Sequence, residues 1–286
     1  MMSKMKRWFF IYIPATIIAI IVFLHYENNA IGVTNFKLNT SKLPVGAENY
    51  RIVQLSDLQS KLFGKNQRPL LKKVEKLNPD IIVVTGDLVD GNHYDEAASL
   101  MMMVGVAEIA PVYFIVGNHE SYIPNYPELE KKLIDAGVIV LRNTHEEIAV
   151  GEGVIRLVGV DDPIFNKKED GDVDKIEAHL DEAIEGMSHP EAYTILLSHR
   201  PELFDVYADY RMDLSLTGHA HGGQIRIPFV GGMFSPEQGW WPEYSEGIHK
   251  QGDSSMIISR GLGNSVFSQR LFNRPEIVVV DLSRPE

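Results

Sequence analysis

The sequence predicts an α/β fold in which two sheets are sandwiched between helices, preceded by one N-terminal transmembrane helix. Three observations support this prediction. Segments with strand-like and helix-like periodicity alternate from about residue 31 to residue 136. The second half of the chain holds more strand-like than helix-like segments. Residues 8–24 form an uncharged apolar run.

The first half has a βαβαβ rhythm, which predicts a parallel sheet covered by helices. Its strands are rich in Ile and Val, and its helices place Leu or Met residues on one face. A Met-rich face of this kind is typical of core packing. In chain order the predicted elements are strand Arg51–Ser56, helix Asn66–Leu77, strand Asp80–Thr85, helix Tyr94–Val106, strand Val112–Val116 and helix Pro127–Ala136.

The second half favours a second sheet over an extension of the first. Two helices are predicted there, Val173–Ile184 and Pro201–Tyr207, and Phe229–Tyr244 is predicted to be a long ordered loop because it is rich in Gly, Pro and Trp. The predicted strands are Glu147–Val150, Ile155–Val160, Tyr193–Leu197, Leu214–Thr217, Gln224–Ile227, Met256–Ser259 and Ile277–Asp281.

The N-terminus is predicted to be a single-pass membrane anchor, with a cleaved signal peptide as the alternative. Lys4, Lys6 and Arg7 precede the apolar run, which places the N-terminus in the cytoplasm and the rest of the protein outside it, at the cell membrane. This interpretation divides the chain into residues 1–30, comprising the cytoplasmic N-terminus and the anchor, and residues 31–286, comprising the catalytic domain.

Composition excludes several functions. The formal net charge is −12, which argues against nucleic acid as a partner because a polyphosphate backbone would be repelled. The chain has no cysteine, so it can form neither a disulfide nor a thiolate metal site, and it has no Cys nucleophile.

Potential metal ligands follow five of the predicted strands, at the point where each strand ends. In an open α/β sheet, side chains just beyond the carboxyl ends of parallel strands converge on one crevice. Each residue alone is more simply explained as a turn or structural residue, but the repetition indicates a site. The candidates are Asp57, Gln59, Asp87, Asn118, His119, His199, His219 and His221.

These side chains predict a dinuclear metal site. Carboxylate, amide and imidazole donors without a thiolate suit Mn, Fe or Zn. The seven candidates other than His119 are too many for one tetrahedral ion but sufficient for two divalent ions that share a carboxylate. Two such ions would attract a phosphate into an acidic protein, hold a bridging hydroxide at neutral pH and stabilise in-line attack on phosphorus.

The same residues resemble the motif series of the calcineurin-like metallophosphoesterases. The segments GHAHGGQIRIPFVGG and SRGLGNS…RLFNRPEIVVVDL are similar to its membrane-associated bacterial branch, which includes YkuE-like enzymes and relatives of the UDP-diacylglucosamine pyrophosphatases. The resemblance covers nearly the whole chain after the anchor. The matching series is Asp57-x-Gln59, Gly86-Asp87, Gly117-Asn118-His119-Glu120, His199 and Gly218-His219-Ala220-His221.

The resemblance implies an αββα sandwich of two mixed sheets and a role for each candidate. It implies that Asp87 bridges the two metals and that His119 acts on the leaving-group oxygen, as a general acid or as a hydrogen-bond donor to the phosphate. The remaining ligands divide between the metals, with the first bound by Asp57, Gln59 and His221 and the second by Asn118, His199 and His219.

Gln59 departs from the family pattern, which has a histidine at this position. A glutamine offers a neutral amide oxygen, which is a weaker and harder donor than imidazole. Gln59 is expected either to bind the first metal through this oxygen or to leave a water in its place. In both cases the first metal would be held more loosely.

The resulting hypothesis is a membrane-anchored phosphoesterase that hydrolyses a phosphate mono-, di- or pyrophosphate ester by attack of a metal-bound hydroxide. Its partner would be a phosphorylated small molecule or lipid. The alternative is a degenerate relative that binds a phosphorylated envelope component without turnover. Arg200 is expected to begin a helix beside Pro201, with a substrate contact as the second possibility, and His93 is expected at the surface.

Overall fold

The computed structural model describes residues 4–165, 171–189, 191–265 and 267–285. The helices are α1 Lys4–Asn29, α2 Arg68–Leu77, α3 Glu96–Ala107, α4 Tyr126–Asp135, α5 Asp172–Ile184 and α6 Phe204–Asp209. The strands are β1 Gly32–Asn39, β2 Tyr50–Leu55, β3 Ile81–Thr85, β4 Val112–Ile115, β5 Ile139–Val140, β6 Thr144–Val150, β7 Gly153–Gly159, β8 Tyr193–Leu197, β9 Leu214–Thr217, β10 Arg226–Ile227, β11 Gly231–Gly232, β12 Phe234–Ser235, β13 Gly239–Trp240, β14 Gly247–Gln251, β15 Ser254–Ile258 and β16 Glu276–Ser283.

Two mixed six-stranded sheets form the centre of the fold. The first has the strand order β1-β16-β2-β3-β4-β5, in which β2 to β5 are parallel and β16 is antiparallel to β2. The second has the order β14-β15-β9-β8-β7-β6, in which β15, β9, β8 and β7 are parallel. Each sheet therefore delivers the ends of several parallel strands to one edge.

Three apolar layers hold helices and sheets together, and they follow from side-chain alternation along each strand. In β2, Val53 and Leu55 pack against α2, α3 and α4, whereas Ile52 packs between the two sheets. In the second sheet, Ile195 faces the first sheet and Leu196 faces α5 and α6. The order of layers is helices, sheet, sheet, helices, which confirms the predicted αββα sandwich.

Several predicted element boundaries were wrong. The helix predicted from Asn66 begins at Arg68, because Asn66 and Gln67 have left-handed backbone conformations. The segment predicted as the helix Pro201–Tyr207 is a 3-10 turn followed by α6, and the strand predicted at Gln224–Ile227 contains only the two residues of β10. The predicted loop Phe229–Tyr244 contains the short strands β11, β12 and β13.

Three edge strands, β1, β5 and β14, were not predicted. In β1, which pairs with β16 only, half-buried and exposed residues alternate because one face packs against the core through Phe36 and Leu38 while the other faces solvent. Its sequence GVTNFKLN therefore lacks the Ile and Val run that identified the central strands.

Helix α1 is long and apolar enough to cross a membrane, and nearly all of its apolar segment is exposed. It leads directly into β1, which runs antiparallel to β2 because β1 is parallel to β16. The carboxyl end of α1 therefore lies at the same sheet edge as the carboxyl ends of β2, β3 and β4.

Candidate metal centre

The carboxyl edges of the two sheets bring the sequence-predicted residues together. Asp57 and Gln59 follow β2, Asp87 follows β3 and Asn118 follows β4 in the first sheet, while His199 follows β8 and both His219 and His221 follow β9 in the second. All seven side chains are buried, with relative exposures of at most 9%. The site is therefore a narrow cleft at the junction of the sheets.

Two groups of potential ligand atoms share one carboxylate. Asp87, His199 and His219 place one ligand atom each within 4.8 Å of one another, and Asp57, Asp87 and His221 do the same. Nε2 of His199 lies 3.3 Å from Oδ2 of Asp87, and Nε2 of His221 lies 3.3 Å from Oδ1 of Asp57. The geometry therefore offers two adjacent cation sites joined by Asp87.

Asn118 belongs to the group around His199. Its Oδ1 lies 3.2 Å from Nε2 of His199, and Nδ1 of His219 lies 3.2 Å from the same nitrogen. Nδ1 of His199 faces the backbone oxygen of Thr85 at 2.8 Å. Since a carbonyl oxygen can only accept, Nδ1 carries a proton, and Nε2 is the nitrogen that faces the cluster.

Several candidate ligands at this edge have unusual backbone conformations. Asp57, Asp87, His219 and His221 have φ values of 51°, 50°, 65° and 47°, in the left-handed region that non-glycine residues rarely adopt. Such conformations cost free energy and persist where the surrounding structure fixes them. They turn the ligand side chains out of the strand direction and into the cleft.

Close backbone approach explains the glycine before His219. A Cβ added to Gly218 would collide with Oγ of Ser56 and Oδ2 of Asp57. The approach allows the backbone N–H of His219 to donate to the Asp57 carboxylate at 3.1 Å, while the hydroxyl of Ser56 donates to the same group at 2.5 Å. Gly218 is therefore required for the orientation of Asp57.

Gln59 is buried beside Asp87. Its Nε2 donates to Oδ2 of Asp87 at 2.8 Å, and its Oε1 is buried without a hydrogen-bond partner among the described residues. A buried unpaired amide oxygen costs free energy unless another group meets it. The side chain therefore presents a free oxygen donor beside the bridging carboxylate.

His119 lies at the rim of the cleft. Its Nδ1 accepts a hydrogen bond from the backbone N–H of Gly91 at 3.0 Å, which places the ring proton on Nε2. Asp90 Oδ1 is 3.6 Å from Nδ1, and the His119 backbone N–H donates to Oδ1 of Asp87 at 2.9 Å. His93 is highly exposed at the surface, as predicted.

Glu120 holds the backbone of the loop that carries Asp87. The sequence did not reveal this role, although the residue belongs to the GNHE motif. It is fully buried and accepts hydrogen bonds from the backbone N–H groups of Asp87, Val89 and Gly117. These bonds fix the loop that carries Asp87. Burial and the nearby Asp87 charge raise the pKa of Glu120 to about 7.

Glu237 was also missed, because it comes from the β12–β13 hairpin and no motif marks it. Its Oε2 lies 2.6 Å from Nε2 of His219, and its Oε1 lies 3.2 Å from the Arg200 guanidinium. Although burial opposes ionisation, contact with His219 and Arg200 lowers the pKa of Glu237 to about 2. Glu237 therefore orients His219 as a carboxylate partner.

The Arg200 side chain is paired with acidic residues of the protein. It is buried and forms a two-point ion pair with Asp162, with nitrogen–oxygen distances of 2.6 and 3.1 Å. It precedes the turn that begins at Pro201, as predicted. Its side chain therefore positions Glu237 and Asp162 instead of reaching the open cleft.

The C-terminal segment closes the other side of the site through Arg270 and Asn273, which sequence reasoning did not select. The Arg270 guanidinium lies 3.4 Å from Nδ1 of His221 and donates to the Gly263 carbonyl, and the Asn273 amide donates to the His221 carbonyl at 2.7 Å. Burial and the Arg270 charge hold the pKa of His221 well below its usual range. A neutral imidazole is the form that binds metal.

The remaining pKa shifts in the site concern Asp57, Asp87 and His199. Burial raises the pKa of Asp57. Burial also opposes ionisation of Asp87, but the facing His199 and His119 lower its pKa overall. For His199, the attraction of Asp87 outweighs burial and raises the pKa to about 10. Asp87 and His199 therefore favour an ion pair of a carboxylate and an imidazolium.

The fold and the donor set define the class of metal-dependent phosphoester hydrolases. The sequence pattern of the calcineurin-like phosphoesterase family matches residues 50–223, and the chain belongs to this family. It is 28% identical over 268 residues to the uncharacterized metallophosphoesterase YkuE of Bacillus subtilis, covering 90% of this chain and 87% of that protein. It is 30% identical over 207 residues to the phosphodiesterase YaeI of Escherichia coli, covering 71% and 70%.

The fold is also similar to a solved structure, that of the protein TT1561 of Thermus thermophilus. The TM-score is 0.52 with 13% sequence identity, and the match covers 75% of this chain and 90% of the other. These comparisons confirm the predicted family and its YkuE-like branch. The chain is therefore a metal-dependent phosphoesterase.

Proposed function

We propose that the cleft binds two divalent metal ions and that the protein hydrolyses a phosphate ester from the outer face of a membrane. The observation that carries the metal assignment is the pair of ligand groups that share Asp87. Asp57, Gln59 and His221 would complete the first site. The second would be completed by Asn118, His199 and His219.

The residues present fit two such ions. Gln59 Oε1 is buried and unpaired among the described residues, so a cation would satisfy it. The His199 and His219 nitrogens that lie 3.2 Å apart would both meet a single cation. Oxygen and imidazole donors suit Mn, Fe or Zn. When bound, the two ions would supply an activated water and neutralise charge on the phosphoryl oxygens.

The chain's own residues would orient and protonate the ester. His119 carries its proton on Nε2, because Gly91 occupies Nδ1. It can therefore donate to the leaving-group oxygen or to the phosphate from the rim of the cleft. To act as a general acid, His119 would take a second proton on Nδ1 in place of the Gly91 hydrogen bond, and Asp90 Oδ1, 3.6 Å from Nδ1, would accept from it.

The substrate class is a phosphorylated small molecule or lipid. The cleft lies in a protein of net charge −12, so surface charge does not attract an anion. Two divalent cations in a buried site would provide the local positive charge. Mono-, di- and pyrophosphate esters all present the same phosphoryl group to it.

The membrane assignment rests on α1. The helix is apolar, almost entirely exposed and continuous with β1, so residues 1–30 would form the anchor and residues 31–286 the catalytic domain. Lys4, Lys6 and Arg7 at its start would hold the N-terminus in the cytoplasm. The catalytic domain would then lie outside it.

Asp87→Asn tests the metal assignment. The variant should lose hydrolysis of an aryl phosphodiester and most bound metal while staying folded, because Asp87 lies beyond the end of β3. Asp213→Asn is the matched control, since Asp213 precedes β9 at the opposite edge. Near-normal turnover and metal content in Asp87→Asn would refute the proposal. A wild-type protein that binds metal and phosphate esters without turnover would favour the binding-only alternative.

A further inference from the structure

The loop Ile227–Trp241 exposes an apolar surface beside the catalytic cleft. Phe229 is fully exposed, and Val230, Trp240 and Trp241 are more than half exposed. Single exposed apolar residues are ordinary, but a cluster of this size marks an interaction surface. Because this surface lies next to the cleft, whatever binds to it would also lie near the entrance for the substrate.

The loop is attached to the site by hydrogen bonds and side-chain packing. The Met233 N–H donates to the Gly223 carbonyl at 3.1 Å, directly after the ligand segment, and Trp240 packs against Phe234 with ring centroids 5.6 Å apart. Glu237, the one charged residue among the 15 residues of the loop, points inward to His219. Although Glu237 is 37% exposed, its carboxylate oxygens are paired with His219 and Arg200, so the loop presents no unpaired charge in a strongly acidic protein.

The apolar surface is continuous with helix α1. Phe272 and Phe229 line one shallow surface pocket, and the Phe272 ring lies 5.8 Å from the ring of Phe23 in α1. Phe23 is six residues before the end of α1, which corresponds to about 9 Å along the helix axis. Phe272 thus meets the helix within its apolar run, at the depth to which interfacial side chains enter a bilayer.

The helix end is tied rigidly to the same side of the domain. The Asn28 carboxamide accepts from the Arg270 N–H at 2.7 Å, and the Lys61 ammonium donates to the Asn28 carbonyl at 2.5 Å. Arg274 lies over the ring of Tyr26 and donates to its hydroxyl. Tyr and Arg at the end of an apolar helix are typical of the membrane–water boundary.

We propose that the loop Ile227–Trp241 and Phe272 form a second membrane contact, which inserts into the same leaflet that α1 leaves and turns the catalytic cleft toward the bilayer surface. This inference rests on the proposed membrane anchoring of α1. The occupant is the lipid leaflet because the surface continues the exposed apolar face of α1 and carries no outward charge. The cleft is thereby presented to phosphate groups at that surface.

Tryptophan fluorescence tests the contact directly, because the chain has three tryptophans and two lie in the loop. The full-length Trp8→Phe protein is reconstituted into phosphatidylethanolamine–phosphatidylglycerol vesicles with ordinary or brominated acyl chains. Emission from Trp240 and Trp241 should be quenched in the brominated vesicles. Adding Phe229→Asp should reduce the quenching, since a charge opposes insertion, without lowering hydrolysis of a soluble ester.

A matched control places the fluorophore at the far edge. In a protein with Trp8, Trp240 and Trp241 all replaced by Phe, Asp253→Trp puts the only tryptophan in the β14–β15 turn, opposite the cleft. Its emission should be the same in both kinds of vesicle. The comparison separates insertion of the loop from general proximity to lipid.

The outcomes distinguish this inference from the function on which it rests. Protein that stays with the vesicles after a carbonate wash, yet shows no quenching of Trp240 and Trp241, would overturn the loop contact and leave the anchor intact. Blue-shifted but unquenched emission would also overturn it and indicate a protein partner or second copy. Quenching in a preparation without hydrolysis would support the membrane contact while counting against the catalytic assignment.

Discussion

Replacing Gln59 should separate metal binding from fold stability. Its Nε2 donates to the Asp87 carboxylate at 2.8 Å, while its Oε1 is buried and unpaired among the described residues. In Gln59→Leu both polar groups are replaced by apolar atoms of similar volume. If the oxygen is a metal ligand, the variant should bind the first metal more weakly, whereas Gln59→His should bind it more tightly.

The structure sets the expected magnitudes. Losing a hydrogen bond to a charged group costs about 1.5–3 kcal/mol, and removing an unpaired buried oxygen restores about 1–3 kcal/mol. Because the two effects nearly cancel, the metal-free stability of Gln59→Leu should change by less than about 1 kcal/mol. A loss on the order of 10-fold in metal affinity, about 1.4 kcal/mol, is expected from removing one weak ligand.

Gln54 provides the matched control. It is also a buried glutamine whose Oε1 has no partner among the described residues, but its Nε2 donates to Oγ1 of Thr85 and to the Thr217 carbonyl between the sheets. Gln54→Leu removes both hydrogen bonds together with the unpaired oxygen, and the Thr217 carbonyl keeps its bond from the Ser259 N–H, so the stability should change by less than about 2 kcal/mol. Its metal affinity should stay at the wild-type value.

The assay has two readouts for each protein. Urea unfolding in the presence of a chelator gives the metal-free stability, and hydrolysis against Mn concentration gives the metal dependence. The curve should move to higher Mn in Gln59→Leu and to lower Mn in Gln59→His. If all three curves coincide with the wild type while Gln59→Leu loses stability, Gln59 only packs the loop and the reasoning fails.

Three other parts of the molecule can be tested in the same way. Gly218→Ala should cost about 1–3 kcal/mol and lower metal content, because its Cβ would collide with Ser56 and Asp57; unchanged unfolding and metal content would contradict this. A reporter fused to the C-terminus should be active only outside the cytoplasm, and activity inside intact cells would reverse the topology. Burial raises the pKa of Tyr126 and Tyr193 above the usual value of 10, so the folded state favours their neutral form. The free energy of unfolding should therefore fall as pH rises above about 10. Tyrosinate absorbance from these two residues should appear only as the protein unfolds.

The ligands could be located from the sequence because each follows a central strand. Buried parallel strands read as Ile and Val runs, and the carboxyl ends of neighbouring strands in one sheet lie together, so the sequence was sufficient to place Asp57 beside Asp87. His199 follows a strand of the second sheet, and the family resemblance grouped it with them. The αββα layers followed from the same runs. Prediction was weakest at edge strands such as β1, where one face of the strand is exposed and carries polar residues at alternate positions.

The residues that orient the ligands could not be found in this way. Glu237 reaches His219 from a hairpin whose place is set by backbone bonds between Met233 and Gly223, and no side-chain periodicity encodes such bonds. Arg270 lies 49 residues from His221 in sequence and meets it only because the C-terminal segment folds back over the cleft. Long-range contacts of this kind depend on the packed fold.

The direction of β1 determines how close the end of α1 lies to the candidate metal site. Were β1 parallel to β2, the end of α1 would lie at the far edge of the first sheet, and the cleft would face away from the membrane that α1 would cross. Because β1 pairs in parallel with β16 and β16 is antiparallel to β2, Asn28 instead reaches Arg270, which in turn reaches His221. One residue thus separates the end of the helix from a proposed metal ligand. The strand directions therefore place the candidate metal site on the same side of the domain as the end of α1.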